Sequence, residues 1–111
     1  MNFSRLRMGP SVFLGLAITL LPCVSVHADD SASVYKAKCV ACHGADGSGT
    51  AVGTKLGAHD LRSADVQKMS DAQFTEIIAN GKNKMPAYGK SMKPDDVKAL
   101  VAYIRTLAAK T

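Results

Sequence analysis

Apolar positions in the second half of this chain recur at helical spacing. Phe74, Ile77 and Ile78 fall on one face of a helix. Val97, Leu100, Val101, Ile104, Leu107 and Ala108 do the same over a longer stretch. Each stretch has a start signal. Ser70-Asp71-Ala72-Gln73 is a capping box, in which side chains at both ends of the first turn satisfy backbone N–H groups, and Gly81 closes that helix. Pro94 occupies a first helical position, and Asp95 and Asp96 follow at the positive end of the helix dipole, with Lys110 near the negative end. Upstream, the polar lead Asp29–Ser33 offers several N-caps for a helix over Val34–Cys42, and Ser63–Met69 reads as a short helical turn. Gly44, Gly47, Gly49, Gly53 and Gly57 mark a long loop, and Lys82–Met92, with Pro86 and Gly89, marks another. No segment alternates with period two, and neither a repeat nor a second domain is visible. The expected fold class is all-α, with three to five short helices and long loops.

The N-terminal pattern differs. Arg5 and Arg7 precede an apolar run from Val12 to Leu21, broken by Pro22, and Val26-His27-Ala28 resembles a small-residue cleavage site. This predicts an export signal over residues 1–28 and one mature domain over 29–111. The run is shorter than the ~20 residues a membrane span needs. An uncleaved anchor and a lipid attached at Cys23 are the alternatives, the latter opposed by Pro22 directly before the cysteine.

The 111-residue chain carries a net charge of +5; beyond residue 28 there are 12 basic against 9 acidic residues, or +3. The lysines are spread out among acidic residues, without an aromatic stacking platform, so nucleic acid is not an expected partner. A domain of about 80 residues buries little core on its own. A large apolar cofactor would supply the missing packing surface.

Cys39-Val40-Ala41-Cys42-His43 names that cofactor. C-x-x-C-H is the attachment pattern of a c-type haem: two thiols on one helical turn add across the vinyl groups, and the adjoining imidazole ligates the iron. A zinc knuckle would need a second ligand pair, and no third cysteine remains after residue 28. A thioredoxin-like site would need a βαβ context. The glycine-rich loop matches neither phosphate-binding template, because Val52 stands where a third glycine is needed and no Gly-Lys-Ser/Thr occurs.

The iron's second face needs a ligand of its own. Met85, in Gly81-Lys-Asn-Lys-Met85-Pro-Ala-Tyr-Gly89, is the first candidate, since glycine and proline fix the backbone of the loop that carries it. Met92, His59, Met69 and an open position are the alternatives. The pairing of Cys39-Val-Ala-Cys-His43-Gly with Met85-Pro-Ala-Tyr-Gly89 before a final helix resembles a small bacterial class I cytochrome c, of the cytochrome c6 and c-553 type. The resemblance implies a small cytochrome c fold around one covalent haem c, with His43 and Met85 as iron ligands. It also implies that the first and last helices cross through Tyr35 and Tyr103. Many relatives carry a proline whose carbonyl accepts a hydrogen bond from the ligand histidine. Leu56-Gly-Ala-His-Asp-Leu61 has none, so a carbonyl near Gly57 or Ala58 is the expected substitute. Arg62 and Lys55 are candidate partners for the haem propionates. An apolar shell is expected from Val40, Leu61, Ile77, Ile78 and Leu100.

With both axial positions filled, the expected function is one-electron transfer, not catalysis. The expectation is an exported, periplasmic, monomeric carrier with no stable membrane insertion of the mature chain. Its redox protein partners would present an acidic patch to Lys82, Lys84, Lys90 and Lys93. The other readings are a haem subunit or tethered partner of a periplasmic dehydrogenase or terminal oxidase, and a five-coordinate sensor or peroxidase.

Overall fold

The computed structural model describes residues 9–10, 14–18 and 28–110. Most of the expected signal segment, including Arg5, Arg7, Cys23 and His27, lies outside the described residues. Leu14, Leu16 and Ile18 are more than three-quarters exposed and belong to no regular element.

Among the described residues six helices follow in order: α1 Ala28–Lys38, α2 Val40–His43, α3 Ala51–Lys55, α4 Ala64–Gln67, α5 Asp71–Asn80 and α6 Pro94–Ala109. The all-α expectation holds, and the count exceeds three to five for two local reasons. First, the expected helix over Val34–Cys42 begins earlier and breaks at Cys39, where the N–H groups of Cys42 and His43 both turn to the Cys39 carbonyl (3.2 and 2.9 Å). Second, the glycine-rich segment is not all loop. The Thr50 hydroxyl accepts from the Gly53 N–H at 3.0 Å and caps α3, while donating to the Ala41 carbonyl at 2.8 Å. Among the described residues the only β feature is an isolated bridge between Lys82 and Met85.

The later helices start where expected. In the capping box of α5 the Ser70 N–H donates to Gln73 Oε1 at 2.8 Å and the Gln73 N–H to Ser70 Oγ at 3.1 Å. Gly81, at φ 75°, ends it. Ser70→Ala should therefore lower stability by roughly 0.5–2 kcal/mol, read as a lower urea midpoint of the holoprotein with unchanged slope.

The core forms where α1, α5 and α6 meet. Its buried residues are Tyr35, Leu61, Phe74, Ile78, Val97, Leu100, Val101, Ile104 and Leu107, and the five supplied by α6 share the stripe that the periodicity predicts. Each fully buried aliphatic side chain contributes roughly 1.5–3 kcal/mol. The rings of Tyr35 and Tyr103 meet at 5.2 Å with a 52° tilt, so the first and last helices do pack through this pair. Tyr35 is 1% exposed, and its hydroxyl donates to the Gly44 carbonyl at 2.7 Å. Burial raises the pKa of this phenol well above the ordinary tyrosine value.

Arg105 fastens α6 to the α4–α5 junction. Its guanidinium donates to the Gln67 and Met69 carbonyls (2.9 and 2.8 Å), pairs with Asp71 at 2.6 Å, and lies 4.8 Å from the Phe74 ring centroid. Among the described residues no helix is long and apolar enough to cross a membrane.

Candidate functional site

A cavity of about 320 Å³ opens between α2, the α5–α6 loop and the core, and its wall is predominantly apolar. Four predicted site residues, Cys39, Cys42, His43 and Met85, line this one cavity. The break at Cys39 sets the first three: α2 is a single turn, so both thiols and the imidazole come from five consecutive residues. Burial pushes the Cys39 thiol up to about 11, against the opposing pull of the Lys38 ammonium, so the group is a neutral thiol at neutral pH.

His43 carries the clearest mark of an incomplete site. Its Nδ1 is buried, and no group among the described residues meets hydrogen-bond geometry with it. Burial lowers the pKa of the ring, the His59 backbone opposes this, and the His59 ring reinforces it. Gly57, Ala58 and His59 line the same cavity as His43. A neutral imidazole in an apolar cleft beside two thiols fits a haem c: Cys39 and Cys42 would hold the porphyrin by thioether bonds, and the imidazole could ligate its iron. Among the described residues no three His, Cys, Asp or Glu side chains come together in a cluster that could hold a metal ion.

Met85 reaches the cavity on a short, well-fixed strap. The Lys82 N–H donates to the Met85 carbonyl (3.2 Å) and the Met85 N–H to the Lys82 carbonyl (2.9 Å), closing a two-residue turn in which Asn83 takes φ 53°. Asparagine tolerates that left-handed conformation better than most residues. Beyond Pro86, the N–H groups of Tyr88 and Gly89 return to the Ile78 and Ala79 carbonyls at 2.9 Å each. Gly81 must be glycine: besides its φ of 75°, an added Cβ would sit 2.6 Å from the Met85 carbonyl oxygen. Met69 also lines the cavity, whereas Met92 packs against the core outside it.

Leu61, Ile77, Ile78 and Leu100 form part of the wall as expected, but Val40 packs on the core without reaching the cavity. Neither propionate candidate lines it. Arg62 is held by Asp60 through two contacts of 3.1 Å and lies 3.6 Å from Asp46, and these hydrogen bonds keep the Asp60 carboxyl below the usual range. The cationic side chains at the cavity are instead Lys38, Lys82 and Lys84. Sequence reasoning did not single out Phe74, Tyr88 or Lys38 as cavity residues. The aromatic two positions beyond Pro86 was the available signal for Tyr88.

Known proteins resemble this chain over most of its length. A family model described as "Cytochrome C oxidase, cbb3-type, subunit III" matches residues 27–104. Cytochrome c6 of Nostoc sp. is 31% identical over 100 residues, covering 84% of this chain and 86% of that protein. The cbb3-type cytochrome c oxidase subunit FixP of Azorhizobium caulinodans is 34% identical over 82 residues; these cover 72% of this chain but 27% of FixP. Among solved structures, the KustC0563 c-type cytochrome superposes with a TM-score of 0.66 at 35% identity, covering 69% of this chain and 95% of that one. The chain belongs to the small class I c-type cytochromes, electron-transfer proteins with a covalently bound haem c.

Proposed function

We propose that this chain is an exported one-electron carrier whose haem c is held by Cys39 and Cys42 and ligated by His43 and Met85. The observation that carries the proposal is the convergence of these four side chains on one apolar cavity, Met85 on a strap pinned at both ends. Bound haem c supplies a one-electron iron couple. The protein's residues set its properties. Cys39 and Cys42 make attachment permanent. The buried His43 imidazole is neutral and ready to ligate. The Met85 thioether favours the ferrous state and raises the potential. Phe74, Ile78 and Leu100 keep water out, which raises it further. Two fixed ligands also change little on electron transfer, and they leave no open position for oxygen or peroxide.

Lys82, Lys84, Lys90 and Lys93 are all exposed and flank the strap. In this reading they steer docking onto an acidic face of a redox protein, and electron exchange with such a partner should slow as ionic strength rises. A rate indifferent to salt would remove the steering role.

A reduced-minus-oxidised spectrum and the far-red charge-transfer band of a methionine–ferric iron bond test the ligation. Absence of that band, with ready carbon monoxide binding at neutral pH, would exclude Met85 as ligand. The mass of the exported protein should equal residues 29–111 plus one haem. A mass retaining residues 1–28 would make the N-terminus an anchor.

A second reading has a specific observation in its favour. The matching family model and FixP both belong to cbb3-type oxidases, of which this chain matches about a quarter of the subunit's length. Stable co-purification with an oxidase would favour it over a freely diffusing carrier.

A further inference from the structure

The break between α1 and α2 creates a problem for one carbonyl. A continuous helix would pair the Lys38 carbonyl with an N–H one turn onward. Here the Cys42 and His43 N–H groups are both taken by Cys39. The donor that reaches the Lys38 carbonyl is the Tyr88 hydroxyl, 3.2 Å away and 50 residues later in the chain. The same two residues meet a second time, with the Lys38 ammonium 5.8 Å from the centre of the Tyr88 ring. Tyr88 is half-buried at the cavity wall, and burial raises the pKa of its phenol.

Tyr88 is also part of the strap that carries Met85. Its N–H is tied to the Ile78 carbonyl, and its own carbonyl accepts from the Ser91 and Met92 N–H groups at 3.0 Å. Its backbone is therefore fixed to α5 and to the segment leading into α6, while its side chain crosses to the residue preceding Cys39. One residue joins the wall that presents the sulfur ligand to the wall that carries the attachment cysteines.

We propose that Tyr88 is a positioning residue whose hydroxyl latches the Met85 strap to the C-terminal end of α1, at the Lys38 carbonyl beside the attachment cysteines, and so sets how long the Met85 thioether stays on the iron. This rests on Met85 being the ligand. An exogenous imidazole can enter only when the strap lifts, so its binding rate reports opening of the latch. A net hydrogen bond of ordinary strength predicts that Tyr88→Phe speeds imidazole binding to the ferric holoprotein roughly threefold to tenfold. The far-red band should persist at neutral pH and disappear at a lower pH than in the parent. Lys38→Ala keeps the carbonyl and should leave the rate within about twofold, because a half-exposed cation–ring contact is weak.

The experiment is stopped-flow imidazole binding to the full-length holoprotein, its Tyr88→Phe variant and its Lys38→Ala variant, with the far-red band recorded for each. Faster binding in Tyr88→Phe alone supports the latch. An unchanged rate in Tyr88→Phe, with the band present in the parent, overturns the latch and leaves the Met85 reading intact. A parent that lacks the band overturns both. If Tyr88→Phe lowers the urea midpoint without altering imidazole binding or the band's pH dependence, the hydroxyl is merely structural and the latch is refuted.

Discussion

Met85→Ala should lower the reduction potential on the order of 0.1–0.3 V, part of the ~0.8 V that axial ligation commands across haem proteins. The thioether stabilises ferrous iron, and alanine leaves that face to water or to an outside ligand. The variant should lose the far-red band and bind carbon monoxide rapidly, with the fold retained, because Met85 is half-buried at the wall and not among the fully buried core residues. Met92→Ala should change neither potential nor spectrum, since Met92 does not line the cavity. Met69 does line it, so Met69→Ala is the informative control. Loss of the band in Met69→Ala and its survival in Met85→Ala would transfer the ligand role.

The largest loss of stability is expected from Gly53→Ala. Gly53 is buried on α3, directly against the turn that carries the second attachment cysteine. A Cβ there would overlap the Cys42 carbonyl oxygen and lie 2.6 Å from the Cys42 carbonyl carbon and 2.9 Å from its Cα. These are backbone atoms and cannot rotate away. One methyl group must therefore push α3 off α2 and break the Thr50 contacts with Ala41 and Cys42. Overpacking of this kind costs about 1–3 kcal/mol where neighbours can yield, and here they cannot. We expect at least about 3 kcal/mol and a sharp fall in the yield of haem-loaded protein. Gly57 provides the comparison: its Cβ would meet nothing within 4 Å, and only its φ of 87° resists substitution, at about 1–2 kcal/mol. Equal urea midpoints for the two alanine variants would contradict the steric account.

The contrast between these glycines shows what the sequence could and could not say. Both stood in one glycine-rich stretch and looked alike. One supplies backbone freedom, the other close approach between two short helices, and only coordinates separate those roles. Elements with explicit local signals were legible, because the capping box at Ser70, the proline at Pro94 and the apolar stripe of α6 act within a few residues of themselves. The crossing of Tyr35 and Tyr103 was legible only through family likeness. The aspartates that engage Arg62 were not legible either, because a lone arginine in a sequence carries no mark of the partners the fold gives it. Arg105 and Tyr88 went unnoticed for a related reason: their partners lie 34 to 50 positions away, and nothing local marks a side chain that will serve a distant carbonyl. The break at Cys39 was hidden because the apolar pattern of Val34–Cys42 suits one continuous helix as well as two.

The docking of α6 on α1 has a consequence for timing. The last sixteen structured positions supply five of the nine core residues and the ring that meets Tyr35. Until that final stretch exists, the opening helix has nothing to close against, and the cysteines beside it lie on an unsealed segment. Thioether formation at Cys39 and Cys42 is therefore expected to be fastest before head and tail have met, and to slow once they have.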